Sequence, residues 1–342
     1  MLMMNIGVVG CGSIARHRHL QEYAAHPEVT ITAVCDIVQE RAEDLGSVYQ
    51  AMTYTDFREM FEKEELDAVS VCTPNYLHAP ISIAALEAGL HVLCEKPMAT
   101  SSEEAEAMIE AAKNNRRWLM IAHNQRFVPS HVKARELIDS GSVGKIYSFR
   151  TAFGHGGPEG WSADGEDSWF FKKDEAFIGA MGDLGVHKTD LLRYLLGEEF
   201  THVGAFIETS AKDHSTVDDT AVCILKSASG IIGTLAASWS YVSGEDNATV
   251  IYAEHAIMHL EDDPVNNLVV QYKDGSVVKY ELGGIQTNEG NGQTSTGVID
   301  AFVKALIDDE EPPVSGEEGK RSLEVILAAL QADEEKTMVE LT

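Results

Sequence analysis

Two short stretches carry side chains that could act together. The first is Val92-Leu93-Cys94-Glu95-Lys96-Pro97. Val92 to Cys94 read as a buried strand, and Pro97, which has no N–H to donate, ends it. Glu95 and Lys96 then stand at the strand's carboxyl end, where open α/β sheets hold their ligands. Lys96 is either a cation facing a ligand or one half of a surface Glu–Lys pair. The second stretch is Gly182-Asp183-Leu184-Gly185-Val186-His187-Lys188-Thr189-Asp190. If it is helical from its start, Asp183, His187 and Asp190 share one face. Such a set is a cap, a buried histidine and a salt bridge, or it is a proton-transfer group flanked by carboxylates. The imidazole is the one side chain here whose ordinary pKa lies near 7. A metal is not expected, because no cysteine or second histidine completes a ligand set.

These residues need elements to position them. Ile6 to Val9 is an apolar run of strand length, followed by Gly10-Cys11-Gly12-Ser13-Ile14-Ala15 and a helical pattern to about Ala25. This is the G-x-G-x-x-G/A fingerprint in its proper setting, strand before and helix after. Gly10 permits the tight turn, Gly12 lets a pyrophosphate approach, and Ala15 keeps helix and sheet close. Ser13 and Ile14 open the helix, whose free N–H groups favour phosphate. His17, Arg18 and His19 just beyond read as exposed helix residues. Val29 to Cys35 is the next strand and ends at Asp36, suitably placed to accept from an adenosine 2′-hydroxyl and to repel a 2′-phosphate. Ile37 and Val38 follow it rather than an arginine, so NAD is expected over NADP.

Alternation continues through a helix from Asp56 to about Lys63 and a strand ending in Thr73-Pro74-Asn75-Tyr76-Leu77-His78. A helix from Pro80 to Ala88 follows, then the strand before Glu95, then a helix from Ser102 to Lys113 with Ser101 and Glu104 at capping-box spacing. A strand from Leu119 to Ala122 leads into His123-Asn124-Gln125-Arg126-Phe127. Strands and helices alternating at this pitch predict a doubly wound parallel sheet over residues 1–125.

The glycine fingerprint, Thr73-Pro74-Asn75 with His78, and Glu95-Lys96-Pro97 resemble the glucose–fructose oxidoreductase/inositol dehydrogenase (Gfo/Idh/MocA) family. Asn124-Gln125-Arg126-Phe127 is similar to that family's segment leaving the nucleotide-binding domain. The D-x-G-x-H-x-x-D pattern of Asp183, His187 and Asp190 matches as well. One departure stands out: Phe177-Ile178-Gly179 occupies a place where relatives often have three glycines. The resemblance implies an α/β fold in which a Rossmann domain precedes an α+β domain, 126–342, with a large, mostly antiparallel open sheet. The C-terminal helix would be able to pack back on the first domain. The second half agrees, with a helix from Ser130 to Asp139 and a strand from Lys145 to Phe153. A long glycine-rich loop holding His155, Trp161 and Trp169 comes next, and repeated short strands run from His202 to Tyr280. A loop from Gly283 to Gly297 and helices over 296–307 and 319–336 close the chain.

The resemblance also implies the chemistry. Oxidising a hydroxyl to a ketone needs a hydride acceptor, a base and a positive charge near the developing alkoxide. NAD supplies the first, held by Gly10, Gly12, Ser13, Ile14, Asp36, Thr73, Pro74, Asn75, His78, Glu95, Lys96 and Gln125. His187 is the expected proton-transfer group, Asp183 biases it, and Lys96 stabilises the alkoxide. Lys96, Arg126, His155, Trp161, Asp183 and His187 are the expected substrate contacts. A neutral sugar, anhydrosugar or inositol is the expected substrate. The alternatives are redox-assisted cleavage of a glycosidic bond and a regulatory NAD-binding module without turnover. Family habit further implies a homo-oligomer.

The totals fit. In 342 residues, 26 basic against 55 acidic side chains give a net charge of −29. Such a field repels nucleic acid and anionic membranes and disfavours anionic substrates. Arg126, Lys172 and Lys173 are the cations left to clamp an anion, since Lys96 is committed and Lys188 should point away from the His187 face. No apolar run is long enough for a membrane span. The expected first strand lies too near Met1 for a signal peptide, and the five cysteines include no C-x-x-C pair. Buried reduced thiols in a cytoplasmic protein are expected.

Overall fold

The computed structural model describes residues 3–285 and 295–341. Part of the loop expected between Gly283 and Gly297 therefore lies outside the described residues. Six parallel strands form the first sheet: β1 (Met4–Val9), β2 (Val29–Cys35), β3 (Met52–Tyr54), β4 (Ala68–Val71), β5 (His91–Cys94) and β6 (Leu119–Ile121). Their spatial order is β3-β2-β1-β4-β5-β6, so the winding reverses between β1 and β4. That switch point opens a crevice at the carboxyl ends of the strands. The strands read as almost unbroken apolar runs because helices cover both faces; Ile6, Val8, Val69, Val71, Val92 and Leu93 are fully buried.

The second sheet has nine strands: β7 (Ile146–Gly154), β8 (Phe200–Glu208), β9 (Thr220–Ser227), β10 (Ile232–Ser238), β11 (Thr249–Ala253), β12 (Ala256–Leu260), β13 (Leu268–Tyr272), β14 (Val277–Tyr280) and β15 (Val339–Glu340). All its pairings are antiparallel except β7 with β10. Along β9, Ala221, Cys223 and Leu225 are buried while Val222, Ile224 and Lys226 are exposed. One face therefore covers a core and the other is open, as expected of an antiparallel sheet.

Local chemistry sets the helix ends. Ser101 Oγ accepts from Glu104 N at 3.2 Å at the start of Ser102–Asn115, and Glu104 Oε2 reaches back to Thr100 N at 2.9 Å. The helix Val186–Leu196, which carries His187, stops at Gly197, whose φ of 68° suits glycine. Its start is held from outside: the Asp218 carboxylate accepts from Gly179 N at 2.7 Å and Met181 N at 2.8 Å. A Cβ on Gly179 would lie 1.8 Å from the Asp218 carbonyl oxygen, so the third of the expected glycines is obligatory here. Phe177, in contrast, takes a φ of 70° without being glycine.

Elements that follow residue 125 contribute to both cores. Val298, Ile299, Phe302 and Val303 of the helix Val298–Asp308 pack into the core of the first sheet. The helix Gly316–Glu335 joins both, with Leu323 in the first core and Val325, Ile326, Ala328 and Ala329 in the second. The sequence reading did not anticipate the helix Gln39–Tyr49 or the short β3 and β15. His17 is exposed as expected, but Arg18 and His19 are buried, because they turn inward to meet Glu95. All five cysteines are buried and unpaired by disulfides.

Several histidines are buried in neutral form. Burial pushes His78 and His123 down to about 4 and His131 to about 3, and it lowers His19 and His187 as well. The unfolded chain titrates near 6.5 and takes up these protons first, so stability is present above that pH and lost below it. The urea midpoint is expected to fall steadily from about pH 6.5 to about pH 4. A midpoint constant over that interval would contradict the neutral burial of these rings.

Candidate active site

The crevice at the switch point of the first sheet continues into the second domain as one cavity of about 560 Å³. Its floor begins at the turn after β1. Gly10 has φ 93°, and a Cβ there would lie 2.5 Å from the Cys72 carbonyl oxygen. A Cβ on Gly12 would meet nothing within 4 Å, so the backbone there faces open space. Asp36 stands at the end of β2, its carboxylate accepting from Cys11 N at 2.7 Å and Val38 N at 2.8 Å. Thr73 Oγ1 and Gln125 Oε1 line the cavity, buried and without a hydrogen-bond partner among the described residues. A glycine cradle, an acid at the ribose position and two unsatisfied polar atoms fit a dinucleotide.

Three expected cofactor contacts are occupied by the protein itself. His78 sits between the carbonyls of Pro97 (Nδ1, 2.7 Å) and Thr73 (Nε2, 2.8 Å) and ties the two strand-end turns together. Because burial keeps the ring neutral, it donates to one of these carbonyls only. Asn75 Nδ2 donates to the Ala176 carbonyl at 2.8 Å. Ser13 Oγ donates to the Trp161 carbonyl at 2.8 Å. All three residues still line the cavity, as do Ile14 and Pro74.

The far end of the cavity lies where the two domains meet. Lys96 Nζ donates to Asp183 Oδ1 at 2.7 Å and to the Asp183 carbonyl at 3.1 Å. The indole N–H of Trp239 holds Asp183 Oδ2 at 3.2 Å. His187 borders the same cavity, its ring centroid 5.7 Å from that of Phe153. Burial, reinforced by the positive charge of Lys96, lowers its pKa well below the usual value, so the imidazole is neutral and able to accept a proton. Among the described residues, no group hydrogen-bonds His187 Nδ1, and the protein does not fix its tautomer. Glu95 accepts from the Lys96 backbone N–H at 3.3 Å and pairs with Arg18 and His19 beneath the cavity.

Aromatic rings wall the remaining side. Trp161 lies edge-on to His155 and Phe170 at 6.4 and 5.1 Å, and Trp169 stacks on Phe170 at 3.9 Å. Trp161 Nε1 is buried, has no hydrogen-bond partner among the described residues, and borders the cavity. Flat rings beside an unused N–H suit the C–H face and hydroxyls of a sugar.

Two expectations need correcting. Arg126 does not line the cavity: its guanidinium grips Asp190 through two bonds of 2.7 Å and reaches Glu318 at 2.8 Å. Asp190, in turn, is fully buried and does not line the cavity with Asp183 and His187. Met181–Gly185 forms a wide π turn, with α-helical geometry starting only at Val186, so the regular spacing expected from Asp183 onward does not hold there. Asp190 sits in a buried network with Arg193 and Ser322. Lys173 is also outside the cavity lining, and Lys188 is buried and donates to the Asn247 carbonyl at 2.7 Å. The sequence reading missed Trp239 and Phe153. Both sit at the ends of predicted strands, and the need of a buried indole N–H for an acceptor was the available signal.

Residues 4–123 match the model of an oxidoreductase family with an NAD-binding Rossmann fold, and residues 131–259 match the Gfo/Idh/MocA C-terminal domain. The chain belongs to the Gfo/Idh/MocA family. It is 32% identical to a levoglucosan dehydrogenase of Pseudarthrobacter phenanthrenivorans over 69% of this chain and 67% of that protein. Identity to a myo-inositol 2-dehydrogenase of Thermotoga maritima is 26%, over 99% and 98% of the two chains. Levoglucosan dehydrogenase solved with NADH and levoglucosan superposes with a TM-score of 0.86, at 27% identity over 98% and 99% of the chains. The chain is accordingly an oxidoreductase with an NAD-binding Rossmann domain.

Because Arg126 braces the helix carrying His187, Arg126→Ala leaves the Asp190 carboxylate buried with a weakened counter-charge. Breaking such a pair costs about 3–5 kcal/mol, read as a lower urea midpoint. If Arg126 were instead a substrate clamp, KM would rise with stability unchanged.

Proposed function

We propose that the chain oxidises a carbinol of an uncharged sugar, anhydrosugar or polyol with NAD, using Lys96, Asp183 and His187. The observation that carries this reading is the Lys96–Asp183 bond beside a neutral His187, in a cavity continuous with the glycine turn. Gly10, Gly12, Asp36, Thr73 and Gln125 would hold the dinucleotide, which when bound supplies the acceptor for the carbinol hydride. His187 then takes the hydroxyl proton. Lys96 stabilises the alkoxide as that proton leaves, and Asp183 keeps the ammonium aimed at it. Trp239 in turn prevents the carboxylate from rotating away.

Charge supports a neutral substrate. The lining cations Arg18, Arg41, Lys96 and Lys172 each face a carboxylate partner already: Glu95, Asp164, Asp183 and Glu175. Bringing in a phosphate or carboxylate would require breaking one of these pairs. The names of the relatives, levoglucosan and myo-inositol dehydrogenases, point the same way.

We further infer a homo-oligomer built on the open face of the second sheet. Phe206, 72% exposed, pairs across the strands with Val222, and Ile224 and Ile232 extend the apolar surface. Clustered exposed side chains of this kind mark an interface. The five reduced thiols fit a reducing, cytoplasmic setting.

A panel of neutral sugars and polyols with NAD, followed by NADH absorbance, tests the activity. Lys96→Ala and His187→Ala are each expected to lower kcat by at least about 10²-fold. His187→Ala should leave NAD affinity nearly unchanged. Since the folded pKa of His187 lies below the usual value, oxidation by the wild type should stay flat as pH drops through 6.5 and fail only at lower pH. Lost NAD binding with intact turnover in His187→Ala would remove the ring from the proton-transfer role.

A further inference from the structure

The adenosine end of the cavity holds a contradiction in charge. Asp36 is the acid that favours NAD, yet Arg41 lines the same part of the cavity, in the first turn of the helix Gln39–Tyr49. Its backbone N–H bonds the Val38 carbonyl at 3.0 Å, one residue from the loop that Asp36 organises. Burial chiefly raises the pKa of the Cys11 thiol at the glycine turn; Asp36 adds to that rise and Arg41 opposes it. An arginine just past the strand-end acid is the group that accommodates a 2′-phosphate in NADP enzymes. Taken alone, the first domain could therefore accept either nucleotide.

Arg41 is not left free. Its Nη2 is hydrogen-bonded to Asp164 Oδ1, a residue of the loop that follows β7 in the second domain. That loop is anchored across the dinucleotide turn by the bond from Ser13 Oγ to the Trp161 carbonyl at 2.8 Å. Ser162 N to the Pro158 carbonyl at 2.8 Å and Lys212 Nζ to the Gly156 carbonyl at 2.6 Å fix its shape. Trp161, Ser162, Ala163 and Asp164 accordingly line the cavity opposite Gly12 and Asp36.

We propose that Asp164 is a cofactor-specificity residue: by occupying Arg41 from the second domain, it denies that guanidinium to a 2′-phosphate. Discrimination against NADP then has two parts. Asp36 repels the phosphate directly, and Asp164 occupies the guanidinium that lines the same part of the cavity. The Arg41–Asp164 pair is 30% and 41% exposed, so its contribution is of surface magnitude and weakens with salt.

This inference rests on the dinucleotide lying against the Gly10–Ile14 turn. The test is calorimetric titration of the full-length protein with NAD and with NADP, for wild type, Asp164→Asn, Arg41→Ala and the double variant. Asp164→Asn is expected to tighten NADP about fivefold, the worth of one exposed charge pair, while NAD changes less than about twofold. Adding Arg41→Ala should return NADP to its wild-type affinity, and raising the salt concentration should shrink the gain. Equal changes for both nucleotides would make Asp164 a mere closing contact and overturn the proposal. A gain that persists in the double variant would assign the effect to long-range repulsion and overturn it too. If the wild type bound neither nucleotide, the cofactor site itself, rather than the role of Asp164, would be refuted.

Discussion

The ion pair between Lys96 and Asp183 is the contact on which the site depends. It joins the end of β5 in the first sheet to the π turn that precedes the helix carrying His187 in the second domain. The two side chains are only 14% and 8% exposed, so both ions have lost most of their water. Desolvation on that scale is offset only when the geometry is good and the remaining lone pairs are satisfied. Here the Asp183 carbonyl and the Trp239 N–H supply those extra bonds. Neither domain holds the pair alone, and without it each would bury an uncompensated charge.

The rest of the molecule serves that contact. Glu95, locked by Arg18 and His19, fixes the backbone that presents Lys96. Asp218 receives the N–H groups at the start of the π turn, and Arg126 grips Asp190 farther along the same helix. His187 is thus held between an anchored start and a braced middle. The helix Gly316–Glu335 contributes side chains to both cores and completes the frame. Precise placement of this kind matters because catalytic groups lose effect steeply when displaced by an ångström.

Much of this was legible in the sequence, for physical reasons. The glycine turn, Asp36 and the strand-ending Pro97 are local signals, each fixed by the conformation of a few consecutive residues. The alternation of strand and helix pointed to the first sheet, and the succession of short strands from His202 to Tyr280 pointed to the second. What could not be read was anything set by partners far apart in the chain. Arg126 looked like a free cation until Asp190 and Glu318, 64 and 192 residues away, were seen to hold it. Asp190 looked like a member of the site until Arg126 and Ser322, 64 and 132 residues away, were seen to hold it. Arg18 and His19 read as surface residues because their buried partner, Glu95, is 76 positions downstream of His19. Arg41 drew no notice for the same reason, its carboxylate being 123 positions away.

The unity of Lys96 and Asp183 is best tested by a double-mutant cycle on single-turnover NADH formation from a neutral sugar or polyol. Lys96→Met, Asp183→Asn and the double variant would be compared with wild type at saturating NAD. If the two side chains work as one unit, the double variant should be no more than about threefold slower than the slower single variant. A double variant slowed by the full product of the two single losses would show that Lys96 and Asp183 act independently, and would contradict a site built on their contact.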